Sequence, residues 1–508
     1  MSPPVLLAVV QALVSVGLVG VELAEPPAQP GLRVLPFSNV VHSKGARSAL
    51  RLYRDRFGWL PLVGPGHVLS PGPYLFLLRA ALVLLFLIQI VALWAVLRER
   101  RPSLRRWMLG PVISSVVLLA YPPINTDVFF YASVARVANG GGNPYLESPH
   151  SFGRTPFDRY SDWQRITAPY GPIWTWVSRL VDGATGTAPF ATSLGFKVVA
   201  SLSILALGLV TARVARRLTG DARLAVVAFV LVAWSPVVLY ETAGTAHFDA
   251  LLMALALAGL LLLTSPGPGR VRLGLLAIAA SALCKPVTLP LLGAAALVRL
   301  ANRADPLRVV VRRWLGDAVA IAGLFAVAFA AYWGGGRLPR ALIADYRTLY
   351  VFRPLHASPF WFWLMPQLGF TAAWIRSGGT KIAQTSASLL AIGAVAVLAV
   401  RTYRLRGPDK PTPSANDLLR AQVSTWAVVM VAEGYLPTNA HAWYMIWGLP
   451  LVSLIAVDRG VVTRLLGPAA DDVPSGTGAT SRWLTWSVLA YFGWTAVNFF
   501  VYHTLARG

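Results

Sequence analysis

The chain has 508 residues, 56% of them hydrophobic and 13% charged, with a mean hydropathy of +0.59. Continuous apolar runs of membrane-spanning length, without the alternation of barrel strands, exclude a soluble enzyme and a β-barrel and define an all-α polytopic membrane protein. The formal net charge of +24 would suit nucleic acid in a soluble protein, but the basic residues cluster in short links between apolar runs, so no nucleic-acid partner is expected.

About thirteen candidate transmembrane helices follow from runs of roughly 17 to 23 apolar residues, with shorter runs also admitted. In chain order they lie near 5–22, 75–97, 107–124, 193–212, 223–240, 247–264, 271–284, 286–300, 315–333, 382–400, 418–436, 443–458 and 483–503. The first lacks a basic start and reads as a span, with cleavage after VELA, ahead of Glu25, as the alternative. Links dense in arginine, RERRPSLRR after residue 97, RVARRLTGDAR after 212, the arginines of 299–313 and RTYRLRG after 400, read as cytoplasmic. All fall on one side if 359–376, rich in Trp and Phe with Pro359 and Pro366, is an interfacial or re-entrant segment. The link 24–73 resists this scheme, because Arg33, Lys44, Arg47, Arg51, Arg54 and Arg56 then lie outside. Stretches 265–270, 407–413 and 467–479 are Pro, Gly and Ser rich and read as flexible links. No sequence repeat is evident, so one membrane domain is expected over 1–508, with external loops at 125–190 and 334–381.

Charges beside hydrocarbon are costly and usually face a cavity, so the scarce polar residues near span ends are informative. Asp127 after the third span, Glu241, His247 and Asp249 between the fifth and sixth, Lys285 between the seventh and eighth, Asp345 and Arg353 after the ninth, and His441 between the eleventh and twelfth all fall on the non-cytoplasmic side. Simpler roles exist for each. Asp127 suits a helix N-cap, His247 and Asp249 an interfacial cap, Lys285 a snorkelling ammonium, His441 an aromatic belt, and Tyr170 to Trp174 a turn with an aromatic anchor. Cys284, the only cysteine, allows neither an intramolecular disulfide nor a thiolate cluster.

The order of motifs narrows this further. NTDVFFYASVARVA with Tyr131 and Arg136, then GGGNPY, APYGPIWTW, AHFDALLMALAL, CKPVTLPLL and HAWYMIWGLPLV together resemble the polyprenol-phosphate-mannose-dependent mannosyltransferases of the GT-C superfamily, in particular the actinobacterial alpha-mannosyltransferases. The resemblance runs over residues 115–460 and implies a GT-C-like fold with large external loops carrying amphipathic helices. It implies a plasma-membrane enzyme with an extracytoplasmic active site, passing mannose from polyprenyl-phosphate-mannose to a glycolipid or lipoglycan acceptor with inversion. Asp127 would be the general base. Lys285 and His441, then Arg353, would stabilise the departing phosphate; His247 and Asp249 would position sugar or phosphate. Asn143 and Tyr145 would shape the loop and reach the sugar, while Trp174 and Trp443 would offer stacking faces. Metal-dependent members carry two acids one residue apart, whereas NTDVF offers only Asp127, so a metal-independent reaction without cofactor is expected. No phosphate-cradling glycine loop with a following Lys-Ser/Thr exists for a nucleotide sugar. The rival readings are a lipid-linked sugar transporter or flippase, a non-catalytic scaffold, and a transferase using another polyprenyl-phosphate sugar.

Overall fold

The computed structural model describes residues 2–25, 43–57, 69–123, 125–265, 267–301, 306–334, 337–338, 369, 371, 380–404, 414–435, 441–466 and 480–505. Among them every regular element is helical, as continuous apolar runs require when hydrocarbon supplies no hydrogen-bond partners. The principal helices are α1 (Pro3–Leu23), α2 (Lys44–Phe57), α3 (Pro71–Arg98), α4 (Leu109–Leu118), α5 (Asp127–Asn139), α6 (Pro172–Thr185), α7 (Pro189–Thr219), α8 (Ala222–Ala233) and α9 (Asp249–Leu263). They continue as α10 (Pro268–Cys284), α11 (Leu289–Ala296), α12 (Leu307–Phe329), α13 (Thr380–Arg404), α14 (Ala415–Tyr435), α15 (Met445–Asp458), α16 (Val461–Leu466) and α17 (Thr480–Leu505).

A helix coincides with each apolar run found in the sequence, but length and composition alone qualify only four described helices as spans: Pro3–Leu23, Pro71–Arg98, Pro189–Thr219 and Leu307–Tyr332. The pair Ala222–Ala233 and Pro236–Gly244, bent by 48°, would make a fifth. On that measure the thirteen expected crossings are not all met, because many of the helices are short, broken by Pro or capped early.

The core is built around α7, which packs on α8, α9 and α15, while α1 packs on α3 and α4. The two ends of the bundle differ chemically. At one end Arg223 donates to the Leu97 carbonyl, Arg217 to Leu261, Thr264 and Ser265, and Arg420 to the Leu218 carbonyl and Asp458. These are the links read as cytoplasmic. Carboxylates, imidazoles and aromatics gather at the other end. There α5 and α6 pack together and a small second core forms from Phe130, Val134, Ala138, Tyr145, Ala168 and Tyr332. Helix α5, expected to be amphipathic, is instead buried along nearly its whole length.

Lys197 explains why α4 stops at Leu118. Its ammonium, fully buried on α7, donates to the carbonyls of Leu118 at 3.1 Å and Leu119 at 3.2 Å and also to Tyr121. A cation thus meets the carbonyls at the negative end of the helix dipole, adding to the Tyr121 amide that already bonds Leu118. The chain then leaves helical geometry and delivers Asp127 at the start of α5.

Candidate active site

Asp127 opens α5 and is 8% exposed. Its side chain does not close a cap on its own helix. Instead the Tyr170 hydroxyl donates to Oδ2 at 3.3 Å, and His247 Nε2 lies 3.7 Å from the same oxygen. Asn125 Nδ2 stands 3.1 Å from His247 Nε2, and Asn125 Oδ1 accepts from the Asp127 amide at 3.4 Å. The carboxylate is therefore oriented from three directions, by the segment preceding it, by the YGP motif and by the link between α8 and α9.

That link is locally unusual. Pro236 breaks the helix after Ser235, a π-helical turn follows over Leu239–Gly244, and Ala246 adopts a φ of +66°. Non-glycine residues pay for left-handed backbone, and such geometry persists where surrounding contacts fix it. Here it turns His247 into the interior, where Nδ1 is 2.7 Å from Thr245 Oγ1 and 3.4 Å from Glu241 Oε2. Glu241 in turn meets His503 Nε2 at 2.6 Å. A chain of groups, Asp127, His247, Glu241 and His503, thus runs from the site into the core. His247 belongs to the link outside the spans. Burial opposes its charging, but the hydrogen bonds and charges of Asp127 and Glu241 outweigh that and hold the imidazole up at about 9.

A second group adjoins the first. Lys285 Nζ sits 2.9 Å from Asp249 Oδ1, with the Tyr444 and Trp447 rings 4.7 and 4.9 Å from the ammonium. Trp447 Nε1 donates to the same Asp249 oxygen at 2.6 Å. Asp249 Oδ2 has no hydrogen-bond partner among the described residues. Trp443 stacks on His247 at 4.0 Å and on His441 at 4.1 Å and reaches the second group through the Tyr444 ring, edge-on at 5.8 Å. His441 is half-buried and begins the short 3-10 turn Ala442–Tyr444.

Gly171 welds the assembly together. Its amide donates to the Cys284 carbonyl at 2.9 Å, and a Cβ there would lie 2.0 Å from the Leu283 carbonyl oxygen. Only glycine permits this approach, which sets the residue after Tyr170 against the backbone just before Lys285.

The structure thus brings Asp127, His247, Asp249, Lys285, His441 and Trp443 into linked contact, and Arg353 lies outside the described residues. Three residues expected to reach the sugar are packed within the protein. Trp174 is 1% exposed with Phe248 stacked on it at 4.0 Å, so its face is filled by protein. Tyr145 is fully buried and its hydroxyl meets Thr175 at 2.8 Å. Trp443, 6% exposed, is engaged by two imidazoles rather than offering a bare ring. The Asn143 amide donates to the Tyr332 carbonyl at 2.7 Å while its Oδ1 accepts from the Tyr145 amide. Asn125, Trp447, His503 and Lys197 were not singled out from the sequence. The last two carried a usable signal, a polar residue within an otherwise apolar run. Among the described residues no three His, Cys, Asp or Glu side chains converge in a metal-holding group.

A multi-helix membrane protein with an oriented carboxylate, a charged imidazole and a buried ammonium at one end defines the setting, and comparison with known proteins defines the class, a membrane-embedded glycosyltransferase. Residues 58–301 match the family described as alpha-(1->6)-mannopyranosyltransferase, N-terminal domain. An alpha-(1->6)-mannopyranosyltransferase of Mycobacterium tuberculosis is 25% identical over 417 residues, covering 72% of this chain and 68% of that protein. Alpha-(1->6)-mannopyranosyltransferase A of Corynebacterium glutamicum is 25% identical over 147 residues, 29% of each chain. An apo oligosaccharyltransferase from Archaeoglobus fulgidus aligns at 14% identity with a TM-score of 0.32, over 84% of this chain and 56% of that one, a likeness on which nothing below is built.

Proposed function

We propose that this chain transfers a mannosyl residue from polyprenyl-phosphate-mannose to a glycolipid or polysaccharide acceptor at the extracytoplasmic face of the plasma membrane, on a GT-C scaffold and with inversion. The relatives' names suggest the alpha-(1->6) linkage. The observation that carries the reading is the Asp127 carboxylate, held through Oδ2 by Tyr170 and beside His247 at the polar end of the bundle.

A sugar hydroxyl is a poor nucleophile, and a positioned carboxylate contributes roughly 10²- to 10⁴-fold by accepting its proton. In the proposed step the acceptor oxygen bonds to the anomeric carbon and its proton passes to Oδ1 of Asp127. The bond from that carbon to the phosphate oxygen breaks on the opposite face, and the electron pair leaves on the polyprenyl phosphate. Charge developing on that phosphate calls for preorganised cations. We assign this role to His441, which is half-buried, and to Lys285, whose ammonium is paired with Asp249. His247 stands beside the base and holds its carboxylate in position. No metal or nucleotide enters this scheme.

Purified chain in proteoliposomes, given radiolabelled polyprenyl-phosphate-mannose and a mannosylated glycolipid acceptor, is expected to form a product cleaved by an alpha-mannosidase. Transfer from GDP-mannose instead, or a beta-linked product, would overturn the donor and stereochemical assignments respectively.

A further inference from the structure

Glu241 and His503 are buried ionisable groups to which the transfer step gives no role. Glu241 stands in the π-helical turn Leu239–Gly244, six residues before His247. In an α-helix two such residues would lie about 240° apart around the axis. The π-helical turn and the left-handed Ala246 instead fold one onto the other. The His247 amide donates to the Glu241 carbonyl at 3.0 Å, and His247 Nδ1 lies 3.0 Å from the same oxygen and 3.4 Å from Glu241 Oε2. A carbonyl only accepts, so Nδ1 carries a proton and donates to it. What binds one ring nitrogen decides how the other is presented, and here the other is Nε2, 3.7 Å from Asp127 Oδ2.

Glu241 needs a second partner, because His247 is shared between two carboxylates and a buried carboxylate short of donors is costly. That partner comes from α17, near the end of the chain. His503 Nε2 meets Glu241 Oε1 at 2.6 Å, which leaves Oε2 turned towards His247. The His503 ring packs on Tyr240 and Phe499, with centroids 4.4 and 4.6 Å away, and α17 packs on α3 and α15.

We propose that Glu241 and His503 are positioning residues of the transfer reaction, locking the His247 ring, and through it the Asp127 carboxylate, to the C-terminal helix α17. The effect on rate rests on Asp127 being the base; the locking of the ring does not. Displacing a catalytic group by about 1 Å can cost about 10²-fold in rate, so the loss of either residue reaches the chemistry without touching substrate.

The test uses the full chain in nanodiscs with isotope-labelled histidine, in which His247→Gln identifies the His247 ring signals among those of the seven histidines. In folded His503→Leu and Glu241→Gln those signals are expected to shift, as the ring loses its fixed partner. The turnover number should fall about 10- to 100-fold with KM for donor and acceptor changed less than about twofold, and His503→Gln, which can still donate to Glu241, should restore most of the rate. On the Asp127→Asn background, where no base remains to be aimed, adding His503→Leu should change the residual rate by less than about twofold. Unmoved His247 signals in both variants, transfer by both within about threefold of wild type, or the same proportional loss on the Asp127→Asn background would each overturn the proposal. Absence of transfer by the wild type would instead overturn the transferase reading, and the ring signals would still show whether Glu241 and His503 lock His247.

Discussion

Removing the Lys285 ammonium tests how the interior of the site is held together. Lys285 and Asp249 meet at 2.9 Å with side chains 4% and 1% exposed. In Lys285→Met the Asp249 carboxylate keeps, among the described residues, only the Trp447 donor, with Oδ2 unpartnered. An uncompensated charge of this kind costs about 3–5 kcal/mol, whereas replacing both partners by apolar groups of similar volume is often neutral. Lys285→Met is therefore expected to lose about 3–5 kcal/mol, and Lys285→Met/Asp249→Leu to recover most of it. Equilibrium unfolding in mixed detergent and SDS micelles reads the difference. The double variant, although stable, is expected to remain impaired in transfer, because the positive centre for the phosphate is gone. A single variant within 1 kcal/mol of wild type would refute the buried pair; a fully active double variant would remove Lys285 from the mechanism.

Three further perturbations probe other parts of the assembly. Gly171→Ala places a Cβ 2.0 Å from the Leu283 oxygen, so the Tyr170 and Lys285 segments must separate; a loss of about 1–3 kcal/mol with more than tenfold lower transfer is expected, read by thermal unfolding and initial rates. Lys197→Met removes the ammonium from the Leu118, Leu119 and Tyr121 carbonyls, of which Leu118 keeps the Tyr121 amide, and is expected to cost about 1–3 kcal/mol while weakening the hold on the segment leading to Asp127. The same micelle titration reads it, and an unchanged midpoint would count against the capping role. For His247 the folded-state value near 9 lies above the ordinary 6.5. Its stabilisation is therefore fully present below about pH 6.5 and disappears as pH rises through about 9. Wild type should lose stability across that window relative to His247→Gln; parallel pH profiles for the two would show that the imidazole is not charged in the folded chain.

Much of this was legible in the sequence for a physical reason. Ionisable groups at the ends of apolar runs are expensive, so those retained there cluster at one face, and Asp127, His247, Asp249, Lys285 and His441 were identified on that ground. What the sequence does not carry is which helices touch. His503 meets Glu241 across 262 residues and Trp447 meets Asp249 across 198; such pairs follow from helix packing, not from spacing. Burial is likewise not carried by spacing: aromatic residues near span ends suit either an interface or a core, and Trp174, Tyr145 and Trp443 pack against Phe248, Thr175 and two imidazoles. Arginine-rich links suggest an orientation, and the basic helix α2, with its apolar face packed on the ends of α1 and α7, is the segment that fits it least.

The central claim is that Asp127 accepts the proton of the acceptor hydroxyl. Its most direct test is the rate of mannosyl transfer from radiolabelled polyprenyl-phosphate-mannose by Asp127→Asn, compared with wild type at equal folded protein. The amide keeps the hydrogen bond from Tyr170 but cannot take a proton, so the rate is expected to fall by about 10²- to 10⁴-fold with donor binding little changed. A folded variant transferring within threefold of the wild-type rate would contradict the assignment.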